Sequence, residues 1–337
     1  MSVRTPPVLT RARDLVDGPL RAAVARLEGD LRLPADYHFG WVEADGTPID
    51  DGAGKGIRPA LAVLGAEAAG ADASVAVPAA VAVELVHNFS LLHDDIIDDD
   101  RERRHRSTVW SQFSVGEAII VGDALHTLAF QVLLEGLDTT GVRIAEKLGQ
   151  ATAAMIRGQS EDMGFDRRDD VSLDDCLAME ADKTGALLAF AIGSGAVLGG
   201  ACAELIGGLE EYGVELGLAF QAHDDLLGVW GEPAVTGKAA GNDIRERKRS
   251  VPIVSALQAG GERAHRLREV FAEEIIDDDM VAESVALLEA AGARDATIEI
   301  ARIHLHRALA ALDGVTVEQA AAAELADLAR FVVDRDH

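Results

Sequence analysis

The sequence predicts an all-α protein folded as one domain over residues 1–337, on three observations. All nine prolines lie at or before Pro78, or at Pro233 and Pro252, so residues 79–232 lack the residue that breaks helices. Ala, Leu and Glu are plentiful in that stretch, as suits successive long helices. No run of alternating Val, Ile and Thr between turn residues suggests a sheet. No internal repeat, low-complexity linker or shift in composition divides the chain.

Residues 10–30 read as an amphipathic helix, and 31–57 as a connection rich in Gly, Asp and Pro. Helices are expected over 58–70, 75–100, 111–136, 139–165, 172–198 and 202–230. Gly185 to Cys202 carries no charge and is long enough to span a bilayer. It also holds five glycines and a serine, and Gly199-Gly200 would break it, so the expectation is a buried core helix followed by a turn. The segment GEPAVTGKAAGNDIRERKRS at 231–250 reads as a loop. Shorter helices follow at 251–260, 262–274, 278–292, 294–312 and 317–334.

Composition narrows the function. The chain is 48% hydrophobic and 26% charged, which is globular, with material for a large core. A net charge of −27 argues against electrostatic binding of nucleic acid or a polybasic contact to anionic lipid. It suits cations. Cys176 and Cys202 match no zinc spacing and no disulfide framework, and the N-terminus MSVRTPPVLTRARDLV lacks an apolar signal region. A soluble protein of the reducing cytoplasm, without stable membrane insertion, is the expectation.

The helix at 75–100 ends in ELVHNFSLLHDDIIDDD, where five of the seven residues from Asp94 to Asp100 are aspartates. Asp94 and Asp98 share a face with Leu91 and His87, and Asp95 stands beside them. Carboxylates crowded at a helix C-terminus repel one another and the helix dipole. The bland reading is a solvated acidic helix end. An EF-hand lacks its loop glycine and closing Glu here. A cation would relieve the repulsion, and oxygen-only ligands point to Mg²⁺. RERRHRST follows at once, bringing Arg101, Arg103, Arg104 and Arg106. Metal-holding carboxylates beside arginines that fork onto phosphate are what a diphosphate ester requires.

Only five of the 31 basic residues are lysines, so each invites an explanation. Lys55 lies in the glycine-flanked GAGKGIRP with Arg58, a loop through which backbone can approach an anion. Lys183-Thr184 enters an apolar helix in MEADKTGALLAF. Lys238 and Lys248 fall in the loop after the second aspartate pair, which either closes over phosphate or is an ordinary exposed loop. A second pair, Asp224-Asp225, ends GLAFQAHDD inside an apolar helix, where adjacent carboxylates are costly unless paired or metal-bound. The two acidic helices lie about 130 residues apart in sequence and could face each other across a bundle.

From about Gly54 to Pro252 the sequence resembles the trans-isoprenyl diphosphate synthase (polyprenyl synthetase) family. The motifs run in family order: GKGIRP, ELVHNFSLLHDDIIDDDRERRHRST, GDAL, GQSED, DKTG, FQAHDD, and GKAAGND through RKRSVP. The resemblance implies an isoprenoid-synthase bundle around a deep apolar cavity, usually homodimeric. Residues 1–53 would form the N-terminal helix and connection, 54–252 the catalytic core, and 253–337 the C-terminal helices. It implies about three Mg²⁺ per site, on Asp94, Asp95 and Asp98 and on Asp224 with Asp225 in support. Arg103, Lys183, Lys238 and Lys248 would hold an allylic diphosphate. Lys55, Arg58, His87 and Arg104 would hold isopentenyl diphosphate, and Thr184 and Gln221 would face the developing carbocation.

The chemistry is coherent by itself. Mg²⁺ and cationic side chains draw electrons onto a departing diphosphate. The allylic cation then needs a dry apolar pocket. Its partner must not ionise, so Lys, Arg and His suit it better than metal. Two departures stand out: Gly228 replaces the usual fifth-position aspartate of the second motif, and Gly56-Ile57 lack a further basic residue in GKxxRP. Phe89 and Ser90, just upstream of Asp94, are the candidate chain-length residues and resemble those of geranylgeranyl (C20) producers. Farnesyl (C15) and C25 products remain alternatives. A class I terpene cyclase would want NDxxSxxxE, but Asn242-Asp243 is followed by Glu246 and Ser250 where Ser and Glu should stand. A catalytically silent partner subunit rests on Gly228 alone.

Overall fold

The computed structural model describes residues 5–49, 54, 56–135, 139–165, 167–231 and 241–333. Helix α1 (Pro7–Val24) starts with proline in its first turn and turns Val8, Ala12, Val16 and Leu20 inward. The expected irregular connection contains a short helix, α2 (Arg32–His38). Its composition concealed it, because it is held by tertiary contact. Pro34, Ala35 and Tyr37 are buried, the Tyr37 hydroxyl donates to the Ser107 carbonyl at 2.9 Å, and Arg32 pairs with Asp36 at 2.6 Å.

The centre is built from α3 (Ile57–Ala68), α4 (Val77–Ile97), α6 (Val115–Leu134) and α7 (Thr139–Phe165). It is completed by α8 (Leu173–Glu180), α9 (Ala186–Leu198) and α10 (Ala203–Trp230). Between α4 and α6 lies α5 (Val109–Gln112). After α10 come α11 (Asn242–Arg245), α12 (Val251–Ala259), α13 (Gly261–Ala272), α14 (Asp278–Ala290), α15 (Ala293–Asp313) and α16 (Gln319–Val333). The expected helix at 172–198 is continuous except for a π-helical turn, Ala181–Gly185, between α8 and α9.

The basic segment after the aspartates is a small antiparallel hairpin, β1 (Glu102–Arg103) and β2 (Arg106–Ser107), where no strand was expected. Arg104 and His105 form its tip with φ of 53° and 62°, the left-handed pair of a tight hairpin turn. Two residues per strand leave no alternation to read in the sequence.

Helix α9 explains its own glycines. A Cβ at Gly195 would stand 1.9 Å from the Ala62 carbonyl oxygen, and one at Gly65 2.1 Å from that of Ile192. The backbones of α3 and α9 therefore touch, and α9 is core as expected. Helix α10 packs on α9 and α15. The Tyr212 hydroxyl, fully buried, donates to the Leu325 carbonyl at 2.8 Å, and His304 meets Glu215 at 2.6 Å. Three helical segments, Ala73–Ile97, Val115–Leu134 and Leu173–Leu198, are long and apolar enough to cross a membrane. Here they pack within the bundle, although α6 leaves Val115, Ile119, Ile120 and Leu134 exposed.

Candidate active site

A cavity of about 1,010 Å³ opens between α3, α4, α6, α7, the π-helical turn and α10. Its wall is polar near the ends of α4 and α10, with Asp94, Lys183, Thr184, Gln221 and Asp224. It also carries apolar side chains, Phe89, Met155, Ile156, Leu187 and Phe220. The two aspartate helices thus face one space, as their patterning implied.

Four of the five predicted metal-binding carboxylates separate into two kinds, and the fifth, Asp98, is exposed at the C-cap of α4. Asp94 and Asp224 line the cavity. Burial raises the Asp94 carboxyl to about 6, with Asp98 and Asp95 repelling it while Lys183 and Arg103 pull the other way. Partial desolvation likewise raises Asp98, against Lys248 and Lys183. Asp95 is 1% exposed and accepts from Arg103 Nε at 2.6 Å. Asp225 is 4% exposed, with one oxygen accepting from Gln221 Nε2 at 3.1 Å and the other from the Val251 N–H at 2.8 Å. Asp95 and Asp225 therefore stand behind the cavity wall, each fixing a neighbour. Adjacent residues on a helix point about 100° apart, so a DD pair sends one member inward and one sideways.

Behind Asp225 lies Glu180, 3% exposed. Burial, then the charge of Asp225, pushes its carboxyl well up, and burial raises Asp225 beside it. The network continues forward. Asp225 orients Gln221, whose amide oxygen accepts from Thr184 Oγ1 at 3.2 Å. Thr184 and Lys183 belong to the π-helical turn, a distortion frequent at functional sites. Lys183 Nζ donates to Asp162 at 2.6 Å. Burial opposes its charge, but Asp162 and Asp94 outweigh it and keep the ammonium protonated. Lys248 pairs with Glu246 at 2.7 Å, and Asp243, Glu246 and Asp98 overcome its burial in the same way.

A second polar group gathers along α3, α4 and the hairpin: Arg58, Glu84, His87 and Arg104. The Nε of Arg58 is buried without a hydrogen-bond partner. Burial, then Arg58 and Arg104, pushes His87 well below its usual range, so the imidazole is neutral. Arg104 lies over Gly54, where a Cβ would come within 2.8 Å of its guanidinium. His38, pushed to about 3 by burial and the nearby arginines, meets Asn88 Oδ1 at 3.1 Å, and Asn88 donates to the Glu84 carbonyl at 2.8 Å. Lys55 and Lys238 lie outside the described residues.

At the apolar end, Phe89 meets His93 and His126 with ring centroids 4.8 and 5.1 Å away, and His126 meets Phe130 at 5.2 Å. Ser90 lines the wall and donates to the His87 carbonyl at 2.8 Å. Sequence reasoning assigned no role to His126, Asp162, Glu180 or Gln159, the last lining the cavity with a buried Oε1 that has no partner. Asp162 and Gln159 lie in the GQSED motif, which was the signal available for them.

Among the described residues, no three His, Cys, Asp or Glu side chains converge into a ready-made metal cage. That fits Mg²⁺, which takes one or two carboxylates and completes its octahedron with water and substrate phosphate. Mutually repelling, partly desolvated carboxylates such as Asp94 and Asp98 are the donor set such an ion stabilises.

Residues 44–288 match the polyprenyl synthetase family. A (2E,6E)-farnesyl diphosphate synthase of Mycobacterium tuberculosis is 43% identical over 99% of this chain and 94% of its own length. A geranylgeranyl diphosphate synthase of the same organism is 40% identical over 90% and 88%. The crystal structure of a polyprenyl synthetase from Streptomyces coelicolor A3(2), 48% identical, superposes with a TM-score of 0.93 over 98% of this chain and all of that one. That of a Corynebacterium glutamicum geranylgeranyl pyrophosphate synthase, complexed with isoprenyl diphosphate and magnesium, is 29% identical with a TM-score of 0.84, over 98% of this chain and 99% of that one. The chain belongs to the polyprenyl synthetase family, and it is a prenyltransferase of the trans-prenyl diphosphate synthase kind with the all-α isoprenoid synthase fold.

Proposed function

We propose that the protein condenses isopentenyl diphosphate with an allylic diphosphate, head to tail, to give geranylgeranyl diphosphate. The observation that carries this reading is the lining of one cavity by aspartates from two helices, a separate arginine–histidine group and a set of apolar side chains. The first suits a diphosphate that must leave. The second suits one that must stay, and the third suits a growing chain.

In this reading Asp94, Asp98 and Asp224 hold Mg²⁺, with Asp95 and Asp225 supporting from behind. Bound Mg²⁺ supplies Lewis-acid stabilisation of the leaving diphosphate. Arg103, Lys183, Lys238 and Lys248 bind the allylic diphosphate, and Lys183 is held in place by Asp162. Thr184 and Gln221, fixed through Asp225 and Glu180, turn oxygen lone pairs toward the carbocation. Apolar side chains from Met155 to Phe220 keep water from quenching it. Arg58, His87, Arg104 and Lys55 bind isopentenyl diphosphate, and the buried Arg58 Nε gives that anion a donor already desolvated. The released diphosphate takes the final proton.

The ring cluster of Phe89, His93 and His126 favours a short product, and Ser90 leaves room beyond a C15 tail. A farnesyl product is the second reading, favoured by the 43% identity to the M. tuberculosis enzyme. The exposed Val115, Ile119 and Ile120 of α6 support a homodimer across that face. The enzyme would act in the cytoplasm. The test is a product assay with Mg²⁺, labelled isopentenyl diphosphate and dimethylallyl, geranyl or farnesyl diphosphate as primer. A C20 product, lost in EDTA and in Asp94→Ala, is the expected result. A C15 product would move the assignment to the farnesyl reading. No incorporation with any primer would overturn the catalytic proposal.

A further inference from the structure

His38 ends α2, ahead of residues 44–288 that match the family and outside every motif, yet it connects to the arginine–histidine group. Asn88, 5% exposed, stands between them. Its amide nitrogen donates to the Glu84 carbonyl at 2.8 Å and to Glu84 Oε1 at 3.3 Å. That turns Asn88 Oδ1 toward His38 Nε2 at 3.1 Å. An amide oxygen only accepts, so His38 donates through Nε2–H. Burial, then Arg103 and Arg104, keeps the imidazole neutral, so this hydrogen bond also fixes its tautomer.

Glu84 lines the cavity together with Arg58 and Arg104. Burial opposes the charge of Arg58, while Glu84 and then Asp224 support it. Burial and Arg103 oppose the charge of Arg104, while Glu84 and then Asp95 support it. Glu84 is thus the leading carboxylate for both guanidinium groups, yet among the described residues it acts on them as a charge and hydrogen-bonds to neither. Arg58 Nε accordingly stays without a partner. A carboxylate in direct contact would occupy those donors; one tethered to the side keeps the cations charged and their donors open. The hairpin that carries Arg104 is tied to the same helix as His38. The Tyr37 hydroxyl donates to the Ser107 carbonyl at 2.9 Å, and Arg106 Nη1 to the Tyr37 carbonyl at 3.2 Å.

We propose that His38 and Asn88 are positioning residues for isopentenyl diphosphate: their hydrogen bond tethers the Glu84 carboxylate to one side, leaving the donors of Arg58 and Arg104 to the diphosphate. With the tether cut, Glu84 swings onto Arg58 and competes with the incoming anion. The allylic diphosphate, assigned to Lys183 and the two aspartate helices, does not depend on this tether. The inference rests on the synthase reading above, and in particular on its assignment of Arg58 to isopentenyl diphosphate.

Isopentenyl diphosphate without an allylic partner is not consumed, so titration calorimetry reads its affinity directly, alongside kcat and the KM of each substrate. The variants are His38→Leu, His38→Gln, Asn88→Asp and Arg58→Gln. His38→Leu, which lacks the donor, and Asn88→Asp, which cannot donate to Glu84, should each weaken isopentenyl diphosphate binding roughly tenfold, the worth of a hydrogen bond to a charged group. The KM of the allylic primer should stay near wild type in both. His38→Gln, whose amide nitrogen has the reach of Nε2, should recover most of the lost affinity. Losses spread equally over both substrates, or His38→Gln as impaired as His38→Leu, would assign His38 to the fold alone and overturn the inference. Wild-type affinity in His38→Leu, with Arg58→Gln impaired, would overturn the inference and leave the synthase reading standing. Wild-type affinity in Arg58→Gln would overturn both the inference and that reading of the anion site. If His38→Leu does not fold, Asn88→Asp decides.

Discussion

Lys183 donates to the carboxylate of Asp162 at 2.6 Å, tying the π-helical turn to α7 at the polar end of the cavity. A lysine this buried would ordinarily lose charge, and Asp162 with Asp94 prevents that. The ion pair keeps charged and aimed a cation that the proposed reading assigns to the allylic diphosphate. Asp162→Asn should therefore lower kcat/KM for the allylic substrate roughly tenfold or more, the worth of a hydrogen bond to a charged group. The KM for isopentenyl diphosphate should hardly change, because in the proposed reading Arg58 and His87 would bind it elsewhere. Initial rates with each substrate varied in turn check this, and equal losses for both would refute the division of the site.

Asp94 gives the site a pH signature when metal is withheld. Its carboxyl titrates at about 6 in the folded protein and near 3.8 in the unfolded chain. Between those values the folded state binds more protons, so stability falls as pH rises from about 4 to about 6. Below that window the folded and unfolded carboxyls are both protonated, and the contribution vanishes. In EDTA, Asp94→Asn should flatten this part of the profile and raise the unfolding midpoint at pH 7, while abolishing prenyl transfer. Denaturant titrations across the window test it, and parallel profiles for variant and wild type would contradict it.

Sequence reading recovered the long helices because their patterning and proline distribution act locally, and both acidic clusters because adjacent carboxylates in apolar helices are conspicuous. What it missed depends on contacts across the chain. Helix α2 exists because Tyr37 reaches Ser107, seventy positions on. The hairpin at 102–107 depends on two left-handed residues that are not glycine. The inward Asp94 and the sideways Asp95 look alike in a sequence, and only packing against Arg103 distinguishes them. Gly228 read as a gap in the second motif, with nothing in the sequence to show that Asp243, fifteen positions on, packs against it.

The apolar end of the cavity is layered. Phe89 lines it, and His126 and Phe130 continue from that ring in a chain of tilted and edge-on contacts. Removing the first ring should let the chain run only as far as the next. Phe89→Ala should shift the product to a longer prenyl chain, and Phe89→Ala/His126→Ala should lengthen it again. Chromatography of dephosphorylated products reads both. Unchanged length in Phe89→Ala would remove that ring from the gate. Equal lengths in the single and double variants would remove His126.

Gln159 and Gln221 both line the cavity, yet their amides are differently occupied. Gln221 donates to Asp225 and accepts from Thr184. Gln159 keeps a buried amide oxygen without a partner. An unpaired oxygen in a dry cavity is costly in the ground state, and a nearby positive charge repays that cost only once the allylic C–O bond has broken. Gln159 would therefore join Thr184 and Gln221 in gaining from ionisation. Gln159→Leu, close in shape and without the oxygen, should lower kcat about tenfold or more while leaving both KM values near wild type. It should also bind an allylic ammonium diphosphate, which mimics the cation, less tightly than wild type does. A variant that kept its kcat and its affinity for the ammonium analogue would show that the oxygen is not turned toward the reacting carbon.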